Sequence, residues 1–267
     1  MYVRVCGGPR VIGRRLRSSL VALLTLGVTA GCAIGIAPPR QPVSAEAQRA
    51  IDLLVTRWST VTDLRALADI SVDRGGQRQQ LSGVLLAQAP GSVRFEALSP
   101  FGQPILIAVV HAGQLTAFSV VTNEAVVGEA TAETTARLLG LPFEPEDLVA
   151  IVSGYAVPPR DVRLAEVMPA DALGPSLSLS GALNERRVWM DFQTGLVRQF
   201  QIVGGRAAAT VTYQRDGEGR LTGFDVSAAE RYVTGTVRYK NLSTGVGLTP
   251  ERFALTLPKD AKTQPIR

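Results

Sequence analysis

The stretch Ser92-Val93-Arg94-Phe95-Glu96-Ala97-Leu98, then Ser99-Pro100-Phe101-Gly102-Gln103, then Pro104-Ile105-Leu106-Ile107-Ala108-Val109-Val110, decides the fold. In the first seven residues Val93, Phe95 and Ala97 alternate with Arg94, Glu96 and Leu98, the period of a strand. The last run is apolar at every position, as in a strand covered on both faces. The link between them carries a Pro and a Gly, and a link so short joins only antiparallel neighbours. His111-Ala112-Gly113 turns the chain again into residues 114–121, and Val126-Val127 make one more short strand.

The same grammar extends in both directions. Upstream, residues 64–72 run into Asp73-Arg74-Gly75-Gly76 and return as 77–88, which end at Pro90-Gly91. Downstream, strand patterns recur at about 161–167, 176–181, 186–192, 196–203, 207–214, 221–228, 231–240 and 252–257, with Arg215-Asp216-Gly217-Glu218-Gly219 as a strong turn. Three segments read as helices. In residues 44–60, Ser44 is placed to cap and Ala47, Ile51, Leu54, Val55 and Trp58 share one stripe. Residues 131–139 stop at Gly140, and residues 145–153 open on Pro145 and stop at Gly154.

A sheet this large curls to bury one face. The expected architecture is mainly β with a few helices: a half-open antiparallel β-barrel of about 11 strands with a helical lid. Such a barrel either encloses an apolar cavity or is filled by side chains; pattern alone leaves both open.

Charge separates the first segment from the rest. The chain has 267 residues, with 28 Lys+Arg against 23 Asp+Glu. Residues 1–31 hold Arg4, Arg10, Arg14, Arg15 and Arg17 and no acid, so from residue 32 onward 23 basic residues face 23 acidic ones. The whole excess sits in a basic stretch followed by an apolar run, Ser18 to Gly31, shorter than the ~20 residues of a membrane span. This reads as a secretory signal. Its end, Thr29-Ala30-Gly31-Cys32, resembles a bacterial lipobox, with Thr29 where Leu is usual. The resemblance implies cleavage before Cys32, acylation of that residue, and membrane lipid as a partner through the acyl chains. Ala33 in the next position implies the outer membrane. Residues 32–43, with three prolines and no periodicity, read as the lipidated Cys and a flexible tether, and 44–267 as a single domain.

Composition excludes much chemistry. One His and two Cys, of which Cys6 lies in the signal, leave no multi-His or multi-Cys metal site and no second His for a triad. There is no Gly-rich phosphate loop, and pairs such as Arg186-Arg187 are too few for a nucleic-acid track. No cofactor, no metal, no nucleic acid and no catalytic residue is expected.

With these elements in place, residues 91–157 resemble the LolB/LolA-like superfamily of lipoprotein receptors and carriers. The resemblance rests on Arg94, on Leu98-Ser99-Pro100-Phe101-Gly102, on Leu138-Leu139-Gly140-Leu141-Pro142-Phe143, and on Asp147-Leu148 and Gly154. It extends over roughly 44–157, and the C-terminal strands are longer than in the receptor. It implies a half-open barrel whose cavity holds the acyl chains of lipoproteins or lipids, with a periplasmic carrier protein as a further partner. It also implies a membrane-inserting loop at Pro100, Phe101 and Gly102. Phe101 stands where the receptor has an exposed Leu; it either dips into a bilayer or packs inward to close the turn. The candidate cavity-lining residues are Val93, Phe95, Ile105, Ile107, Phe118, Leu138, Leu139 and Leu148, with strand faces assigned without knowledge of register. The implied activity is transfer of lipoproteins or lipids to the membrane without covalent chemistry, not enzymatic. The alternative is a non-enzymatic envelope scaffold that keeps the fold without a cavity.

Overall fold

The computed structural model describes residues 38–182, 184–204, 207–228 and 232–266. The signal peptide and Cys32 lie outside the described residues. Helix α1 (Ala45–Ser59) opens the domain, with the Ser44 hydroxyl accepting from the Ala47 N–H at 3.1 Å, Glu46 in its first turn and Arg57 in its last. A first meander follows: β1 (Asp63–Arg74), β2 (Gln77–Gln88), β3 (Ser92–Leu98), β4 (Pro104–His111), β5 (Gln114–Ser119) and β6 (Glu124–Glu129). Helices α2 (Ala132–Leu139) and α3 (Pro145–Ser153) interrupt it. Gly140 ends α2 in the left-handed region at φ +78°, where a side chain is strained. A second meander then runs through β7 (Leu164–Asp171), β8 (Gly174–Ser180), β9 (Glu185–Met190), β10 (Val197–Gly204), β11 (Ala207–Arg215), β12 (Leu221–Ala228) and β13 (Val233–Thr244). A 3-10 turn at Pro250–Phe253 and a last strand, β14 (Lys262–Pro265), complete the chain.

The two meanders form one sheet because β13 pairs antiparallel with β1. The strand order is β14-β6-β5-β4-β3-β2-β1-β13-β12-β11-β10-β9-β8-β7, antiparallel except for β14 beside β6. The sheet is open, with β14 and β7 as its edges. The expected count of about 11 strands is therefore corrected to 14. The expected strand at 252–257 is also corrected. Pro250 starts a 3-10 turn there, and the terminal strand lies further on, in Lys262-Thr263-Gln264-Pro265, whose residues are all exposed and show no alternation.

Register fixes two faces. On the concave face, Leu177, Val188, Phe200, Val211, Val226, Phe224 and Val237 of the second meander share a contiguous core with Leu64, Ala66, Leu85 and Ala87. Helix α1 adds Ala47, Ala50, Ile51 and Leu54 to this core, and α3 adds Val149, Ile151 and Val152. Helix α3 lies mainly against β2 and β3, and α1 against β7.

The opposite face of the first meander is covered by the C-terminal strap. Asp63 turns the chain there: its carboxylate accepts from the N–H groups of Val246, Gly247 and Leu248 at 2.7, 2.9 and 3.1 Å. Gln88 Nε2 donates to the Leu248 carbonyl at 2.6 Å, and Arg94 Nη1 to that of Ala254 at 2.9 Å. Phe253 is fully buried, its ring 6.0 Å from that of His111. Val109, Phe118 and Ala125 are buried on this same face.

The segment before α1 is docked as well. The Gln41 N–H donates to the Arg163 carbonyl at 2.8 Å, Arg163 Nη1 donates to the Pro38 carbonyl at 3.3 Å, and Arg40 pairs with Asp161. Residues 38–43 of the expected flexible tether are therefore held against the domain, because Asp161 and Arg163 supply partners that a proline-rich sequence does not announce.

Candidate functional site

The expected acyl site combines residues that the structure places on two faces. Val93 and Phe95 of β3 point to the concave face and pack at the edge of the core, as does Leu148 of α3. Leu138 is half-buried and Leu139 exposed at the end of α2. Ile105, Ile107 and Phe118 stand on the opposite face, under the strap, so they do not share a cavity with Phe95. The cause is a β-bulge. Ala97 pairs with Leu106 and Leu98 with Pro104, which leaves Ile105 as the extra residue. One inserted residue exchanges the faces of β4, and Phe118 follows because it pairs with Ile107.

The corrected concave set on this half of the sheet is Phe95, Leu106, Ala108, Ala117 and Val126, aligned across four strands by the pairs Phe95–Ala108, Ala108–Ala117 and Ala117–Val126. All five are only partly buried. This differs from the second meander, where Leu177, Val188 and Val211 are fully buried. The short helix α2 reaches over this part, with Thr134 against Gly128 of β6 and Gly140 against Val233 of β13. Thr135 fixes its approach by donating to the Phe143 carbonyl at 2.7 Å. The five partly buried side chains make an apolar strip on the concave face, called the trough below.

Two hairpin tips flank the trough. Phe101 is 91% exposed. The Gly102 N–H donates to the Ser99 carbonyl at 2.9 Å and Gly102 takes φ +78°, which closes the turn without Phe101 packing inward. Pro100 and Gly102 are exposed beside it. Two strands along, the β5–β6 tip exposes Val121 to 76%.

A separate cleft of about 730 Å³ opens beside the start of α3 and has a different character. Its wall is mixed: Pro90, Pro145, Val157, Pro158 and Pro159 stand beside His111, Glu146, Asp147, Arg160, Asp161 and Arg186. At its base Arg186 makes a buried two-bond pair with Asp147. Burial pushes the Asp147 carboxyl up from its ordinary value, and the Arg186 charge and hydrogen bonds oppose that. Ser92 Oγ and His111 Nδ1 are 2.9 Å apart in this cleft. Among the described residues no hydrogen bond orients the other ring nitrogen, and the ring lies against Phe253, so His111 is a packed residue rather than the solvated turn residue its position suggests. No group of three metal-ligating side chains occurs among the described residues, and no helix there is long and apolar enough to cross a membrane.

No family model and no curated protein matches this chain by sequence. Solved structures do. A DUF1329 family protein from Desulfovibrio piger aligns with a TM-score of 0.55 at 16% identity, covering 80% of this chain and 98% of that one. A putative outer membrane lipoprotein-sorting protein domain from Vibrio parahaemolyticus aligns with a TM-score of 0.54 at 11% identity, covering 78% and 97%. A LolA superfamily protein from Nitrosomonas europaea aligns with a TM-score of 0.52 at 13% identity, covering 79% and 99%. The likeness is one of fold and extends over most of the chain.

Proposed function

We propose that this chain, whose fold is that of LolA-superfamily proteins, is a lipid-anchored envelope protein that takes acyl chains of lipoproteins or lipids into the concave trough and passes them to a membrane. The observation that carries this reading is the partial exposure of Phe95, Leu106, Ala108, Ala117 and Val126 on one continuous apolar face. An acyl chain laid there leaves water, which is worth about 0.8 kcal/mol per CH₂. No covalent step is needed; direction comes from a difference in affinity between donor and acceptor. Acylation of Cys32 anchors the protein at the periplasmic face of the outer membrane in this reading, and a periplasmic carrier delivers the cargo. The exposed Phe101 tip supplies an apolar contact with the bilayer.

A second reading, an envelope scaffold without transport, is favoured by one observation: α1 and α3 join strands of both meanders in one contiguous buried core on the concave face. Titration of the purified full chain with a fluorescent fatty acid separates the two. Saturable binding that Leu106→Asp weakens supports the carrier, and absence of binding supports the scaffold.

A further inference from the structure

A small internal pocket of about 60 Å³ lies where the end of α3 meets α1 and β11, built from elements other than the trough. Arg57, Ser153, Gly154, Gly195 and Arg215 are among its lining residues, and no carboxylate lines it. Two buried polar atoms at this pocket have no hydrogen-bond partner among the described residues: Ser153 Oγ and Arg215 Nε. The neighbouring carbonyls are already engaged. Tyr155 N–H donates to Ala150 at 2.9 Å, Gly154 N–H to Ile151 at 3.1 Å, and Tyr239 Oη to Val152 at 2.6 Å. Arg215 itself donates from Nη2 to Gly154 at 2.9 Å and from Nη1 to Gly219 at 3.3 Å, and Tyr213 Oη donates to the Tyr155 carbonyl. Each of these carbonyls already accepts a hydrogen bond, and Arg215 Nε remains a buried donor without a partner among the described residues.

Its charge is also uncompensated. Burial pushes the Arg215 guanidinium down from its ordinary value, and only the Tyr213 and Tyr155 hydroxyls act against that. Arg57 brings a second guanidinium, held by its Nε bond to the Thr194 carbonyl at 2.6 Å. Water would satisfy the Nε–H, whereas an anion would satisfy it and also offset the charge of the partly buried guanidinium. The volume accommodates several water-sized groups, as a tetrahedral oxyanion requires.

We propose that this pocket binds a phosphate group, free or carried by a lipid headgroup, through Arg215 Nε, the Ser153 hydroxyl and the Arg57 guanidinium. Charge-assisted hydrogen bonds of this kind are the stronger class, and removing one weakens binding about tenfold.

The test is calorimetric titration of the purified full chain in chloride buffer with inorganic phosphate, and separately with dihexanoyl phosphatidic acid below its micelle concentration. The expected result is saturable one-to-one binding of phosphate, weakened about tenfold in Arg57→Gln and in Ser153→Ala. Arg57 is exposed and its replacement is expected to cost little stability, so the result does not depend on Arg215, whose bonds to Gly154 and Gly219 also hold structure. If the short-chain lipid competes with phosphate, the group is a headgroup; if it does not, the ligand is the free ion. Failure of both to bind saturably, or equal affinity in wild type and both variants, overturns the proposal and leaves a water-filled void.

Discussion

Arg186 and Asp147 join β9 to α3 across 39 residues of sequence, with Nη1 donating to Oδ1 at 2.6 Å and Nη2 to Oδ2 at 3.2 Å. Their side chains are 7% and 4% exposed, so each is held by the other rather than by water. Arg186→Met alone leaves an unpaired buried carboxylate and is expected to destabilise the domain by about 3–5 kcal/mol. The double change Arg186→Met with Asp147→Leu is expected to regain most of that loss, because neither charge then remains. Urea unfolding of both variants beside the wild type measures it; a double variant no more stable than Arg186→Met would remove the pair from the account of stability.

Gly140 ends α2 at φ +78°, and a Cβ built there would lie 2.7 Å from Val233 Cγ2. Gly140→Ala is therefore expected to cost about 1–2 kcal/mol from the backbone alone, with a further steric contribution. The loss is read from the urea midpoint. Because α2 lies against β6, which carries Val126 of the trough, the same variant should bind fatty acid more weakly than its stability change explains.

The faces of β4 are testable by accessibility. In a Cys32→Ala background, a cysteine at Leu106 should react with a thiol reagent and be shielded by a bound fatty acid. A cysteine at Phe118 should react slowly with or without lipid, since Phe118 is only 6% exposed and faces away from the trough. Equal shielding at both positions would contradict the register set by the Ile105 bulge.

Phe101→Glu should leave fatty-acid affinity within about twofold and slow transfer of cargo to liposomes, because the tip is outside the trough but exposed to a bilayer. Val121→Glu, on the neighbouring tip, should act in the same direction. Transfer rates unchanged in both variants would remove the tips from the mechanism.

Acid should destabilise the protein through carboxylates held low. Hydrogen bonds from Trp189 Nε1, then the Leu173 N–H and the Arg187 charge, hold the Asp171 carboxyl below its ordinary 3.8. The N–H groups of Thr194 and Gln193 do the same for Asp191. In each case the folded state binds fewer protons than the unfolded chain as pH falls past that ordinary value. Their stabilisation is thus fully present above it and is lost as pH drops through the lowered folded values. Asp171→Asn should flatten the acid limb of the unfolding midpoint plotted against pH. An unaltered limb would exclude Asp171 as a contributor.

The helices were legible in the sequence almost residue by residue, because their signals are local: Ser44, Gly140, Pro145 and Gly154 each act within one turn. The hairpins of the first meander were legible for the same reason. The inward set of β4 and β5 was not, since it depends on one bulged residue, Ile105, whose extra position is settled by pairing rather than by composition. Nor was the strap. Residues 252–257 alternate like a strand, but Pro250 and the carboxylate of Asp63, far away in sequence, send them across the outer face instead. Of the candidate residues, Phe95 was legible on the inner face from its alternation, while the sequence left Phe101 open between an exposed tip and a packed turn, because a turn's Pro and Gly do not say where the residue between them points.

The docking of residues 38–43 sets a length scale for the proposed anchor. If Cys32 carries the acyl chains, only residues 32–37 separate the bilayer from Pro38, whose carbonyl is already held by Arg163. Six residues reach at most about 20 Å when fully extended. On such a leash the domain pivots over one small patch of membrane rather than sweeping a wide radius. Arg40 pairs with Asp161, which lines the same cleft as Gly91 and His111, so the leash leaves from the end of β3 and β4 opposite the Phe101 turn. In this reading Phe101 meets lipid only when the domain lies over on the membrane, and lengthening the leash would be expected to ease that contact and speed delivery without touching any residue that binds cargo.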